Sequence, residues 1–314
     1  MKKYLSLLLS TVLFASLTAC TAKTTPETAE IKNSDTSFTV NYLGQEYSFD
    51  KKVEKVVLAS LEGMEDAAAL GIKADGVLEV AGEVPKYLAE NFKDVTLVGD
   101  KKAPNPEVIL GLNPDVIVGT SKFSEDVMTQ LNKIAVTLPY SHISSNWKDN
   151  LLALGEITNK TDEAKKLISD YEEKASKAKD EISSKYKDKN ILVIRVRGGL
   201  MYIYPADVYL NPVLYTDLGV KVPEVITQSK AQAEITIETL AEINPDAIFL
   251  QFEDSENLDA PQALNELLEN PIFKNLEASK SSKVFVNTVE PLAQGGTGWS
   301  KVRFLDAVVD NLLK

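Results

Sequence analysis

The chain has 314 residues, with 46 Asp+Glu against 34 Lys+Arg, a net charge of −12 and 44% apolar side chains. That is enough apolar material for one large or two medium domains, and the acidic balance argues against nucleic acid, whose phosphates require a basic footprint. A single Cys and a single His exclude an internal disulfide framework, Cys-based zinc clusters and any centre needing two or more imidazoles.

The first element is a targeting segment. Lys2 and Lys3 precede the apolar run from Leu5 to Phe14, and Leu17-Thr18-Ala19-Cys20 closes it with small residues. This is the pattern of a secretory signal rather than of a spanning helix. Leu-Thr-Ala-Cys resembles the bacterial lipobox, in which Cys20 receives the lipid and becomes the first mature residue. Cleavage after residue 19 would remove two lysines and take the charge from −12 to −14. Residues 20–37 are polar and lack apolar periodicity, as expected of a flexible tether.

From residue 38 onward, short apolar runs alternate with helical patterns, the βαβ signature of an α/β fold. Val56–Ala59, Gly76–Val80 and Asp115–Val118 read as buried strands. So do Ile191–Ile194, Asp246–Leu250 and Lys283–Val286. Between these groups, Thr161 to about Lys187 contains no Gly or Pro and carries a narrow apolar stripe of Leu167, Ile168, Tyr171, Ala175, Ala178 and Ile182. Thr161 reads as its N-cap. About 27 helical residues would reach roughly 40 Å, enough to join two lobes. The expected organisation is an N-terminal lobe over 38–150, a linking helical region over 151–188 and a C-terminal lobe over 189–314.

An internal repeat supports two similar lobes. Glu107 to Ile117 matches Glu238 to Ile248 at an offset of 131 residues, each a one-sided helical pattern followed by Asn-Pro-Asp and a strand. A helix ends before such a proline, so each copy is a helix–turn–strand unit.

The doubled Glu-x6-Pro-Asp unit, the single interlobe helix, and Pro271-Ile272-Phe273-Lys274-Asn275-Leu276 leading into Lys283-Val284-Phe285-Val286 together resemble the class III substrate-binding proteins of bacterial ABC importers. That group carries ferric siderophores, haem and vitamin B12, and the resemblance spans about residues 38–314. It implies an α/β fold of two Rossmann-like lobes joined by one long helix, a ligand in the cleft between them, and little hinge closure. It also implies that Glu107 and Glu238, one per lobe, meet arginines of the permease.

Cleft residues in such folds come from loops at the carboxyl ends of strands. Those loops hold Lys101, Lys122, Arg195 and Arg197. The two arginines alternate along one strand and so share a face, where anionic ligand oxygens would compensate them. Local carboxylates are the alternative partner. Tyr140, His142, Trp147, Tyr202, Tyr204 and Trp299 fall in or beside the same loops as candidate aromatic walls. The loop Gly295-Gly296-Thr297-Gly298-Trp299-Ser300-Lys301 looks phosphate-like but lacks the P-loop Gly-Lys-Ser/Thr, and it reads as the entry to a helix. Met64 and His142 would be the axial pair of a haem reading, although relatives take such ligands from opposite lobes.

The expectation is therefore a monomeric lipoprotein on the extracytoplasmic face of a cell membrane, in a Gram-positive bacterium. It holds no cofactor and no directly bound metal. It captures an iron(III)–siderophore complex and delivers it to an ABC permease. Four cleft cations favour an anionic, catecholate-type complex, with a hydroxamate second and haem or vitamin B12 as alternatives on the same scaffold. A lipid-anchored enzyme or adhesin is the reading from another class, but no nucleophile or acid/base set can be assembled.

Overall fold

The computed structural model describes residues 37–314. The signal segment, Cys20 and the tether up to residue 36 lie outside the described residues. Phe38–Tyr42 (β1) and Gln45–Phe49 (β2) form an antiparallel hairpin turned by Leu43 and Gly44, both at positive φ.

The first lobe follows as β3 (Val56–Leu58), α1 (Leu61–Leu70), β4 (Gly76–Glu79), β5 (Thr96–Asp100), α2 (Pro106–Leu112), β6 (Val116–Thr120), α3 (Glu125–Asn132) and β7 (Val136–Tyr140). Its sheet is wholly parallel, in the order β5-β4-β3-β6-β7. Helices α4 (Trp147–Ile157) and α5 (Thr161–Lys185) lead out of it. The second lobe contains β8 (Ile191–Arg197), β9 (Leu200–Ile203), α6 (Glu224–Gln228), β10 (Ala233–Ile235), α7 (Ile237–Ile243) and β11 (Ala247–Phe252). It continues with α8 (Ala263–Glu269), α9 (Pro271–Lys274), α10 (Glu277–Lys280), β12 (Val284–Val286) and α11 (Gly298–Leu313). Its strand order is β10-β9-β8-β11-β12, with β8, β11 and β12 parallel and β9 and β10 antiparallel. The central strands β3, β6, β8 and β11 are buried on both faces along almost their whole length because helices cover both.

The repeat is structural as well as sequential. α2 ends at Asn113 with φ 49° and ψ 60°, and α7 ends at Asn244 with φ 45° and ψ 64°. Asparagine tolerates this left-handed cap, and the following proline prevents further winding. The aspartate then clamps the chain entering the lobe's first parallel strand. Asp115 accepts from the Glu54 and Lys55 amides and pairs with Lys51, while Asp246 accepts from the Asn190 amide and pairs with Lys189. Glu107 and Glu238 both stand exposed in the first helical turn.

α5 spans 25 residues, about 38 Å at 1.5 Å per residue. Its cap position is Lys160, with no side-chain capping bond, so Thr161 is the first helical residue rather than the N-cap. Its buried stripe is Ala164, Tyr171, Ala175, Ala178 and Ile182. The C-terminal helix α11 packs on α1 and α5, and its Phe304 meets Phe249 of β11 edge-on at 5.1 Å. It therefore ties the lobes together alongside α5. Among the described residues no helix is long and apolar enough to cross a membrane.

Candidate ligand-binding cleft

A cavity of about 640 Å³ lies between the lobes. All five strands of the first sheet deliver their carboxyl ends to it. Ser60, Leu61 and Glu62 follow β3, Leu78 lies in β4, Lys101 and Lys102 follow β5, Thr120 ends β6 with Lys122 just beyond, and His142 follows β7. The second lobe contributes Arg195 and Arg197 from β8, Tyr204 after β9, Tyr209, Gln232, Glu256 after β11, and Gln294. This is the placement that parallel α/β sheets favour, because their loops at that end are free to vary.

The wall holds five cationic side chains, Lys101, Lys102, Lys122, Arg195 and Arg197, against two carboxylates, Glu62 and Glu256. The difference is three positive charges, set in a chain of net charge −12. Glu256 engages both arginines. Its Oε2 accepts from Arg195 Nε at 2.9 Å and Nη2 at 2.8 Å, and its Oε1 meets Arg197 Nη2 at 3.2 Å. Arg197 also donates to Gln232 at 3.2 Å. Lys122 meets Glu62 at 2.7 Å. Partial burial, with Arg197, Arg195 and Lys122 nearby, holds the Lys101 ammonium below the ordinary lysine range despite the opposing pull of Glu256. Burial and Lys122 likewise lower His142, whose Nδ1 lies 2.8 Å from Ser121 Oγ.

Tyr204 and Tyr209 form the second lobe's aromatic part of the wall, their rings 4.9 Å apart, with the Arg195 guanidinium 5.4 Å from the Tyr209 ring, and Phe123 adds a ring from the first lobe. Tyr209 adopts φ 61°, and its hydroxyl is buried with no hydrogen-bond partner. Gly295 makes room for it: at φ 77°, a Cβ there would stand 2.5 Å from the Tyr209 carbonyl carbon.

Lys101, Lys122, Arg195, Arg197 and Tyr204 thus surround one cavity, whereas four other aromatic candidates do not. Tyr140 is wholly buried and donates to Asp66 at 2.9 Å. Trp147 packs edge-on to Tyr171 at 5.1 Å, with the Lys301 ammonium 5.4 Å from its ring. Trp299 packs on Tyr87 at 5.0 Å beneath the Arg303 guanidinium at 3.7 Å. Each finds an aromatic, cationic or carboxyl partner in the interior, so burial there outweighs exposure at the cleft. Tyr202 sits opposite Arg195 in the β8–β9 pair, half-buried and outside the cavity wall. Met64 is fully buried in the core, so it makes no axial pair with His142. Among the described residues no group of three or more His, Cys, Asp and Glu side chains could hold a metal ion.

The Gly-rich loop is indeed a helix entry, with Thr297 capping α11. It also receives carboxyl groups, and they are the protein's own. Glu65 of α1 accepts from Thr297 Oγ1 at 2.6 Å, Ser300 Oγ at 2.5 Å, the Gln294 amide at 2.9 Å and Tyr87 at 2.7 Å. Asp66 accepts from the Gly298 amide at 2.7 Å. The positive end of a helix suits such carboxylates. Burial nevertheless raises both, Asp66 to about 8. Glu62, Glu256, Tyr209, Lys102, Gln232 and Gln294 were not anticipated from the sequence. The carboxyl-end rule covers Glu256 and Glu62, but acids in an acidic chain gave no reason to single them out.

Two α/β lobes, a long connecting helix and an interlobe cleft define a ligand-capturing protein, and residues 56–288 match the family described as "Periplasmic binding protein". The chain belongs to that family, whose members bind substrates rather than transform them. It is 43% identical over 309 residues to the iron-uptake system-binding protein of Bacillus subtilis (strain 168), covering 96% of each chain. Its fold superposes with a TM-score of 0.82 on the triscatecholate siderophore-binding protein FeuA of Bacillus subtilis in complex with ferri-bacillibactin, at 44% identity over 88% of this chain and 98% of that one. Staphylococcus aureus SirA complexed with staphyloferrin B gives 0.74 at 26% identity, over 88% and 98%.

Proposed function

We infer that the cleft captures an anionic, catecholate-type iron(III)–siderophore complex and that the protein presents it to the permease of an ABC importer. The observation that carries this is the cavity's excess of three positive charges, which matches a trianionic ferric tris-catecholate. Charge-assisted bonds from planar guanidiniums suit catecholate oxygens, and Tyr204 and Tyr209 offer apolar area to the rings. The bacillibactin complex of the FeuA relative supports the same reading. The iron remains the cargo of the chelator throughout, and no bond is made or broken.

Neither tryptophan lines the cavity, so the direct test is calorimetric titration of the mature protein with a ferric tris-catecholate, a ferric trihydroxamate and haem. Submicromolar binding of the catecholate with markedly weaker hydroxamate binding is expected. Binding of haem alone would overturn the reading.

Two further parts of the proposal concern delivery. Cys20 anchors the protein to the outer face of the membrane, and palmitate labelling in cells should vanish in Cys20→Ala. Glu107 and Glu238 dock the permease: both are exposed at equivalent points of the repeat, which fixes orientation through paired charges. Glu107→Ala/Glu238→Ala should abolish import while leaving siderophore affinity unchanged. Undiminished import would refute the docking role.

A further inference from the structure

We propose that Glu256 and Glu62 are built-in counter-charges that set the net charge of the complex the cleft accepts. This rests on the reading of the cleft as a ferric-siderophore site.

Each lobe pairs part of its cationic set with one carboxylate in the cavity wall. Glu256 spans Arg195 and Arg197, one oxygen to each, and its side chain is only 10% exposed. Glu62 holds Lys122 and is 5% exposed. Neither acid is an incidental surface partner, because both are fixed from behind. Glu256 lies in the turn Asp254–Glu256, whose carbonyl from Glu256 accepts the Gly198 amide at 2.9 Å. The next residue, Asn257, is fully buried and ties that turn to the β8–β9 turn. It donates to the Val196 and Glu253 carbonyls and accepts from the Gly199 amide at 3.0 Å. Glu62 stands in the first turn of α1, behind the Ser60 cap that accepts the Gly63 amide at 3.1 Å.

A buried carboxylate beside guanidiniums orients them and also cancels part of their charge. Without the two acids the wall would carry five positive charges and would bind any polyanion, including free chelator and phosphate-rich solutes. With them it carries three. The acids therefore cost affinity for highly charged ligands and confer selectivity by charge, which is a difference between two affinities.

The test compares Glu256→Gln and Glu62→Gln with wild type, measuring Kd for a trianionic ferric tris-catecholate and for a neutral ferric trihydroxamate at two salt concentrations. Removing one negative charge from the wall of a partly dry cleft should raise the preference for the trianion over the neutral complex at least about tenfold. Asp254→Asn makes the same change in net charge in the same turn but outside the cavity wall, and should leave the ratio unchanged. A ratio that stays constant in both glutamine variants overturns the proposal. So does a parallel loss of affinity for both complexes, which would mean that the acids only hold the arginines in place. Absence of binding of either complex to the wild type would instead overturn the siderophore reading itself, and this inference with it.

Discussion

Arg197→Ala separates ligand contact from scaffold. In the free protein Arg197 makes two bonds of 3.2 Å, to Glu256 and Gln232, and its side chain is 36% exposed. A partly exposed pair of this kind contributes at most about 1 kcal/mol to stability. Glu256 stays compensated, because Arg195 holds it through two shorter bonds. The variant should therefore melt within about 2–4 °C of wild type. A charge-assisted bond to a ligand oxygen is worth about 1.5–3 kcal/mol, so its loss should weaken ferric tris-catecholate binding about 10- to 150-fold. Arg195→Ala should behave differently. Its guanidinium is 10% exposed, and removing it leaves Glu256 with a single partner at 3.2 Å. Breaking a buried pair in this way costs about 3–5 kcal/mol, and binding should fall along with stability. Calorimetric titration and thermal melting of both variants provide the assay. Arg197→Ala binding within twofold of wild type would refute the assignment, as would a stability loss equal to that of Arg195→Ala.

Three other outcomes are expected. Asp66 is raised from 3.8 to about 8, chiefly by burial beside Glu65. The folded state then keeps a proton that the unfolded chain releases, so this group's stabilising contribution falls as pH rises through that interval. At about 1.4 kcal/mol per unit it falls by about 4 kcal/mol by pH 7. Asp66→Asn should therefore gain stability relative to wild type between pH 5 and 8, and a pH-independent difference in denaturation midpoint would contradict the account. Lys301 is buried against Asp217 at 2.7 Å, beneath the rings of Trp147 and Tyr171. Lys301→Met should cost about 3 kcal/mol without changing ligand affinity, and adding Asp217→Leu should recover only part of the loss, because the buried Tyr171 hydroxyl then loses its acceptor. Finally, the lowered Lys101 loses its charge earlier than an ordinary lysine as pH rises. Affinity for an anionic complex should decline on the alkaline side, and Lys101→Arg should flatten that limb; identical profiles would exclude Lys101 from the contact.

Charged and aromatic residues differed in how far the sequence revealed their positions. An arginine or lysine just beyond a buried strand must reach water, a carboxylate or a ligand, because an uncompensated charge in the core is too costly. The carboxyl-end rule therefore located Lys101, Lys122, Arg195 and Arg197. An aromatic ring in the same position has no such constraint. Tyr140, Trp147 and Trp299 all stand in or beside those loops, yet each turned inward, where a partner was available. The repeat was legible because Asn-Pro performs two local tasks, a left-handed cap and a stop, and the aspartate that follows makes the same clamp on the entry to the first parallel strand in both lobes. The acids of α1 were not legible. Glu62, Glu65 and Asp66 look like a solvated polar face, and it takes contacts from Lys122, Tyr87, Tyr140 and residues 294–300, all distant in sequence, to make their burial tolerable.

Those same long-range contacts bear on how a ligand is captured. Glu65 and Asp66 join α1 to the start of α11, Lys301 and Tyr171 converge on Asp217, and Ser144 donates to the Tyr209 carbonyl across the lobes at 3.1 Å. A wide closing rotation would have to separate several of these groups, each leaving a buried polar atom unpaired at about 1–3 kcal/mol. The frame therefore resists large hinge motion, and α5 reinforces it. A cleft that closes little must get its selectivity from the fixed arrangement of wall charges rather than from closing around the ligand, because little reorganisation is left to discriminate. The paired acids beneath the arginines and Lys122 gain their importance from that rigidity: a wall that cannot adjust its shape to each complex can still reject one of the wrong charge.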